Sequence, residues 1–193
     1  MIRKLAIAAA FMSFAGAASA EDCAAITVED SFDLTDDHVT ALYECLGAQM
    51  AEGYASQGDA IAAEYRNWTP TQTLGAVAGA HGKRVLFTYA NDVAAEQYLK
   101  FEDEGVEMPV GSVLAKESIS ISIKKQKARP GPLFLMTKVG LDEAPDTKGW
   151  LYGGIQPNGK PMKVKQSFCH DCHIAWESQD ALAYPVEEYR VSQ

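Results

Sequence analysis

The chain has 193 residues, of which 47% are hydrophobic and 22% are charged, and its formal net charge is −9. This composition is typical of a globular protein and excludes a disordered or fibrous chain. The acidic balance also argues against nucleic acid as a partner.

Residues 1–20 are predicted to be a secretory signal peptide. Two basic residues, Arg3 and Lys4, precede a short apolar run, and the segment ends in an Ala-Ser-Ala cleavage pattern before Glu21. A membrane anchor is the alternative, which the short, interrupted apolar run disfavours. Cleavage would remove 20 of the 193 residues and only two of the 17 basic ones, leaving 173 residues with 15 Lys and Arg against 26 Asp and Glu. We therefore expect a periplasmic protein with a net charge of −11 and no membrane anchor.

The first element of the exported chain is predicted to be a long amphipathic helix. Thr35 is a good N-cap, and apolar residues recur at three- and four-residue spacing from there to Trp68, with a kink expected at Gly58. Pro70 ends the pattern.

Beyond residue 83 the apolar spacing changes to two, which indicates strands. We predict a short helix capped by Asn91, a turn over 124–132, and strands at 84–89, from 111 onwards, at 133–139 and at 150–155. This pattern predicts an α+β fold: a long N-terminal helix, then an antiparallel sheet of about five strands, then a short C-terminal segment. Residues 21–193 are expected to form one domain, with about 21–60 as an N-terminal helical extension.

The four cysteines fall into two unlike pairs. Cys23 and Cys45 lie 22 positions apart near the start of the exported chain, where an oxidising compartment favours a disulfide between them. The alternative is two buried free thiols.

The second pair lies in Cys169-His170-Asp171-Cys172-His173, which is the C-x-x-C-H attachment pattern of a c-type haem. Two thiols three residues apart lie on one side of a helical turn, where each can form a thioether, and His173 then becomes the axial ligand of the iron. We therefore expect one covalently attached haem c.

Two other interpretations of this motif remain open. A thioredoxin-like redox pair would normally open a helix after a first strand, and a zinc site would crowd four ligands into five residues. The remaining histidines are expected to be less important: His170 as a solvated residue, and His38 and His81 as surface residues rather than a sixth ligand.

Several segments together resemble the cytochrome P-460 family, whose members carry a c-type haem on an antiparallel sheet. The resemblance covers about residues 61–191. The segments that carry it are Tyr65-Arg66-Asn67-Trp68, Gly111-Ser112-Val113-Leu114-Ala115-Lys116-Glu117, residues 131–140, Gly149-Trp150, the haem motif, and Tyr184-Pro185-Val186.

The resemblance implies a five-coordinate haem with an open distal side, a lysine bonded to the porphyrin edge, and a distal carboxylate. Lys116 matches the lysine, although strand parity alone favours a solvated face and lysine at this position does not prove that a bond forms. Asp142 or Glu143 matches the carboxylate, or is simply a turn residue. In the related cytochromes c′-beta a phenylalanine covers the iron instead; Phe87 and Phe134 are available, but we expect both in the core.

The function implied is hydroxylamine oxidation to nitrogen oxides, with electrons passed to a periplasmic acceptor. Two alternatives stay open: a nitric oxide-binding protein without turnover, and a simple electron-transfer cytochrome in which Met108, Met136 or Met162 supplies a sixth ligand. The acidic surface favours a basic redox partner, and the sequence allows a homodimer.

Overall fold

The computed structural model describes residues 23–192, so the predicted signal peptide lies outside the described residues. The predicted helix begins where the sequence indicates: Thr35 accepts a hydrogen bond from the backbone N–H of His38, whose side chain accepts one from Thr35 in return. The helix ends at Ala55 because Gly58 adopts a left-handed conformation, with a φ of 78°, and a separate short helix follows. The α-helices are α1 (Asp36–Ala55), α2 (Ala60–Glu64), α3 (Asp92–Tyr98) and α4 (Gln166–His173).

The strands form one antiparallel sheet of seven members. They are β1 (Thr69–Pro70), β2 (Ala76–Ala78), β3 (Arg84–Ala90), β4 (Val113–Ser122), β5 (Lys127–Pro130), β6 (Leu133–Lys138) and β7 (Trp150–Ile155). The order β1-β3-β4-β6-β7 forms the main path, while β2 pairs with β3 and β5 pairs with β4. The predicted α+β class is confirmed, with seven strands instead of about five.

Each side of the sheet carries its own hydrophobic core. Because strand side chains alternate, odd-numbered residues of β4 such as Ala115 and Ile119 pack with α1, through Leu46 and Met50. Leu114 lies on the other side, in a cluster built around Trp150, Tyr152, Met136 and Tyr98. The second cluster adjoins α4 and the C-terminal segment.

The structure contains the disulfide Cys23–Cys45, whose Cα atoms are 5.8 Å apart. It joins the start of the described chain to α1, on the first of the two cores. Among residues 23–192, no helix combines the length and apolar character needed to cross a membrane.

Candidate functional site

Helix α4 carries the two remaining thiols and is fixed to β7 by a pair of hydrogen bonds. The Gln166 side chain accepts from the backbone N–H of Tyr152 and donates to its carbonyl, both at 2.7 Å. Three residues further on, Cys169 is partly buried, and Cys172 is exposed. Residues three apart lie on one side of a helix, so both sulfurs are available to one flat ligand.

His173, at the end of α4, is a buried imidazole whose tautomer the structure defines. Its Nδ1 lies 2.7 Å from the carbonyl oxygen of Ala181. A carbonyl only accepts, so Nδ1 carries the proton and donates it, and the lone pair of Nε2 is left to bind a metal. Burial, followed by the charge of Lys116, lowers the pKa of His173 to about 4, so its ring is neutral at pH 7.

The carbonyl that orients His173 belongs to a tightly held loop. Asp180, Ala181 and Ala183 all have positive φ angles, which are costly for residues other than glycine. The Asp180 carboxylate accepts from Lys138 Nζ at 2.8 Å and from the backbone N–H of Met108 at 2.8 Å. The indole N–H of Trp150 donates to the Asp180 carbonyl at 2.8 Å. This network holds the loop in a conformation that it would not adopt alone.

Lys116 reaches this site from β4. Its strand neighbours are Thr88 on β3 and Phe134 on β6, which places it on the same side of the sheet as Tyr152. Burial lowers the pKa of its ammonium to about 8, and no acidic side chain among the described residues forms an ion pair with it. A lysine amine with a lowered pKa is partly unprotonated at neutral pH, which is the nucleophilic form.

The structure corrects the expectation that His81 is a surface residue. It ends the short 3₁₀ turn Gly79–His81 between β2 and β3 and is partly buried against Phe134, with ring centroids 4.9 Å apart. Its ring also lies 6.3 Å from that of His173. Burial and the charge of Lys116 lower the pKa of His81 to about 3. Phe134, expected in the core, thus borders the site.

His170 is likewise misplaced by the sequence prediction. It is buried rather than solvated, and its Nδ1 lies 3.2 Å from the Tyr152 hydroxyl. The same Tyr152 ring lies 5.3 Å from the His173 ring, so one aromatic side chain supports both histidines. His38 is exposed in the first turn of α1, as predicted, and Phe87 packs against Tyr43 on the α1 side.

The two acidic candidates do not join this group. Asp142 and Glu143 lie exposed in the loop between β6 and β7. Of the described residues, neither Lys116 nor His173 forms a hydrogen bond or an ion pair with them. Met108 and Met136 are buried in the second core, where their thioethers serve packing.

The residues of the site fit a haem on two observations. The two thiols lie on one side of α4, and the His173 tautomer presents Nε2. The residues that the sequence did not identify, His81, Tyr152 and Asp180, share a property: each acts through a contact distant in the chain. No local pattern marks His81, because the hairpin that carries it includes β2, a three-residue strand too short to show a periodicity.

The family model for cytochrome P460 matches residues 62–183. The matched part contains β3, β4, β6, β7 and α4, and hence every residue of the site described above. No curated protein matches the chain.

Proposed function

Because the chain belongs to the cytochrome P460 family, and is thus a haem-binding cytochrome, we propose that it is an exported mono-haem protein with redox chemistry on small nitrogen compounds. Cys169 and Cys172 would hold the haem through thioethers and His173 would bind its iron. The observation that carries this proposal is the His173 imidazole, whose tautomer is set by Ala181 so that Nε2 faces away from the backbone. The other two cysteines are in a disulfide, which leaves thiols for one haem.

A haem held there supplies an iron that exchanges single electrons and binds a small ligand. The protein's own contribution is positional. Tyr152 and the Ala181 carbonyl fix the His173 ring, and Phe134 covers the neighbouring surface with an apolar ring. Lys116 places a desolvated amine on the same side of the sheet, which supports its proposed bond to the porphyrin edge.

We propose hydroxylamine as the substrate and a basic periplasmic protein as the electron acceptor. The test is turnover of the purified haem protein with hydroxylamine and an artificial acceptor. Lys116→Met is expected to abolish turnover, whereas Lys124→Met, at an exposed lysine outside the site, is expected to leave it unchanged. Absence of turnover in the wild-type protein, with haem attached, contradicts the proposal.

A second candidate function is ligand binding without turnover, as in a nitric oxide scavenger. It is favoured by the exposure of Asp142 and Glu143, which lie in the loop between β6 and β7 and form no contact with Lys116 or His173 through which either could accept protons from hydroxylamine. Reversible nitric oxide binding without hydroxylamine oxidation, and mass spectrometry that finds the Lys116 peptide free of haem, would favour this function.

A further inference from the structure

Helix α4 presents three side chains to one residue of the neighbouring strand β7. Gln166, His170 and His173 follow each other at spacings of four and three, so they line one face of the helix. All three contact Tyr152. His170 and His173 are the two residues of α4 that are buried. The proposed function gives His173 a role as the iron ligand and gives His170 none.

The Tyr152 side chain is held at both of its ends. Its backbone N–H and carbonyl are bound by the Gln166 side chain, both at 2.7 Å. Its hydroxyl lies 3.2 Å from His170 Nδ1, within hydrogen-bonding distance. Burial raises the pKa of the Tyr152 hydroxyl well above its usual range, so the hydroxyl keeps its proton and can donate it to His170. A tyrosine that is bound at the backbone and at the hydroxyl has a fixed ring orientation.

This fixed ring lies against the His173 imidazole. The two ring centroids are 5.3 Å apart, and the ring planes meet at 53°. The imidazole is bound elsewhere through Nδ1, which donates to the Ala181 carbonyl at 2.7 Å. A hydrogen bond weakens when its angle departs from linearity, so any rotation of the imidazole changes the strength of this bond. The Tyr152 ring opposes that rotation, and the hydroxyl bond to His170 keeps the Tyr152 ring in place.

We infer that His170 is a positioning residue for the axial ligand: through Tyr152 it holds the His173 imidazole in line with the Ala181 carbonyl. This inference rests on the proposed haem attachment and deepens it. A hydrogen bond from Nδ1 raises the basicity of the ligating nitrogen, which is Nε2 here. A more basic axial ligand stabilises ferric iron more than ferrous iron, so His170 would keep the reduction potential low.

The test uses the protein with haem attached and measures two properties of the axial bond. These are the iron–histidine stretching frequency in the resonance Raman spectrum of the reduced protein, and the reduction potential. In His170→Ala we expect a lower frequency and a more positive potential, because the bond from Nδ1 to Ala181 weakens. Tyr152→Phe keeps the ring and removes only the hydroxyl, and should give the same two shifts. The double variant should shift no further than either single one, because both changes remove one hydrogen bond.

A conservative variant and a matched control separate this hydrogen bond from general packing. His170→Asn keeps an amide oxygen close to the position of Nδ1, where it can accept from the Tyr152 hydroxyl. It should therefore restore both the frequency and the potential towards the wild-type values. Asp171→Asn, at the exposed neighbour within the same motif, is the control and should change neither property.

Wild-type values in His170→Ala, with haem attached, overturn the inference. Shifts that add in the double variant also overturn it, as does a His170→Asn protein that behaves like His170→Ala, because lost packing then explains the effect. These results leave the proposed function intact, since the haem is attached in each. Absence of hydroxylamine turnover contradicts the proposed substrate and leaves both axial-bond measurements valid. A purified chain whose mass lacks one haem contradicts the proposed function, and the inference with it.

Discussion

Lys116 and Glu117 are neighbours on β4, yet they lie on opposite sides of the sheet, and only the charge of Glu117 has an oppositely charged partner among the described residues. Glu117 is fully buried on the α1 side, where one carboxylate oxygen accepts from the Tyr65 hydroxyl and, at 2.6 Å, from Arg66 Nε. Lys116 has no acidic partner among the described residues, and the ionisable side chains whose pKa its charge lowers are the imidazoles of His81 and His173.

The Glu117 charge therefore contributes to the stability of the fold, whereas the Lys116 charge acts on the side chains of the site. A fully buried charge such as that of Glu117 costs several kcal/mol unless it is paired. Lys116 is half-buried and unpaired among the described residues, and ionisable groups with shifted pKa values of this kind cluster at functional sites. The α1 side is thus a framework, and the α4 side is where reactive groups are kept. Variants on one side should change stability, and variants on the other should change the haem.

The largest change in stability is expected from the disulfide of the framework. Replacing Cys23 and Cys45 together by serine releases a loop of 22 residues, which should lower the free energy of unfolding by about 3 kcal/mol. Urea titration followed by far-ultraviolet circular dichroism measures it. The haem spectrum should stay the same, and a shifted spectrum would contradict the division between the two sides.

A smaller loss is expected when the charge of Glu117 is deprived of its partner. Arg66→Met leaves a buried carboxylate with the Tyr65 hydroxyl alone, and should lower the free energy of unfolding at pH 7 by about 2 kcal/mol. This is below the usual range for a broken buried pair, because a third of the Arg66 side chain is exposed.

The pH dependence of this variant gives a second test. Burial already raises the pKa of Glu117, and the loss of Arg66 raises it further. Above pH 4.5, which is the ordinary pKa of a glutamate, the folded state of the variant then binds more protons than the unfolded state. Its stability therefore recovers as the pH falls towards 4.5, and the gap to the wild type should narrow. Arg129→Met, at an exposed arginine, should show no comparable loss.

On the other side, Asp180→Asn tests the loop that orients His173. It removes the negative charge that pairs with Lys138, although both side chains are only 11% exposed. Asparagine keeps an oxygen that can accept from Lys138 Nζ and from the Met108 N–H, so we expect a local loss of only about 1–2 kcal/mol. During guanidinium unfolding, the haem absorption should change before the circular dichroism in this variant, while the two coincide in the wild type. Coincident transitions in Asp180→Asn would mean that the loop has no separate role.

Local patterns in the sequence predicted the framework better than the site. The Thr35 cap and the Asn91 cap depend on residues close in the chain, and each appears as predicted. The face of β4 that strand parity alone favoured as solvated is instead half-buried at Lys116 and buried at Ser118, because a second core lies on that side of the sheet. Strand β5 lies in a segment that the sequence predicted as a turn. It forms through its pairing with β4, and its own four residues show no apolar alternation that could have indicated a strand. Two- and three-residue strands such as β1 and β2 are too short to show any periodicity.

Within the site, the C-x-x-C-H spacing identified the residues of α4 because they are consecutive. His81 and Asp180 could not be found this way. His81 meets His173 from 92 positions earlier in the chain, and Asp180 matters through a backbone carbonyl of its neighbour Ala181. Neither contact produces a recognisable spacing in the sequence. His81 was therefore predicted to be a surface residue, and Asp180 was not predicted to have a role.

The smallest effect on stability is expected from Lys116→Met, although this variant should alter the haem most specifically. Methionine fills a similar volume without a desolvated ammonium, so the free energy of unfolding should change by less than about 1 kcal/mol, or increase. Mass spectrometry of wild-type peptides should find the Lys116 peptide joined to the haem peptide, and the reduced wild-type protein should show a red-shifted band that the variant lacks.

Lys124→Met, at an exposed lysine, is the matched control for that variant and should keep both the band and the joined peptides. A loss of stability in Lys116→Met as large as that in Arg66→Met would place Lys116 in the framework together with Glu117. If Lys116→Met instead keeps its stability and loses the red-shifted band, the Lys116 charge serves the haem and the Glu117 charge serves the fold. The same strand would then tolerate the loss of the Lys116 charge but not the loss of the Arg66 partner of Glu117.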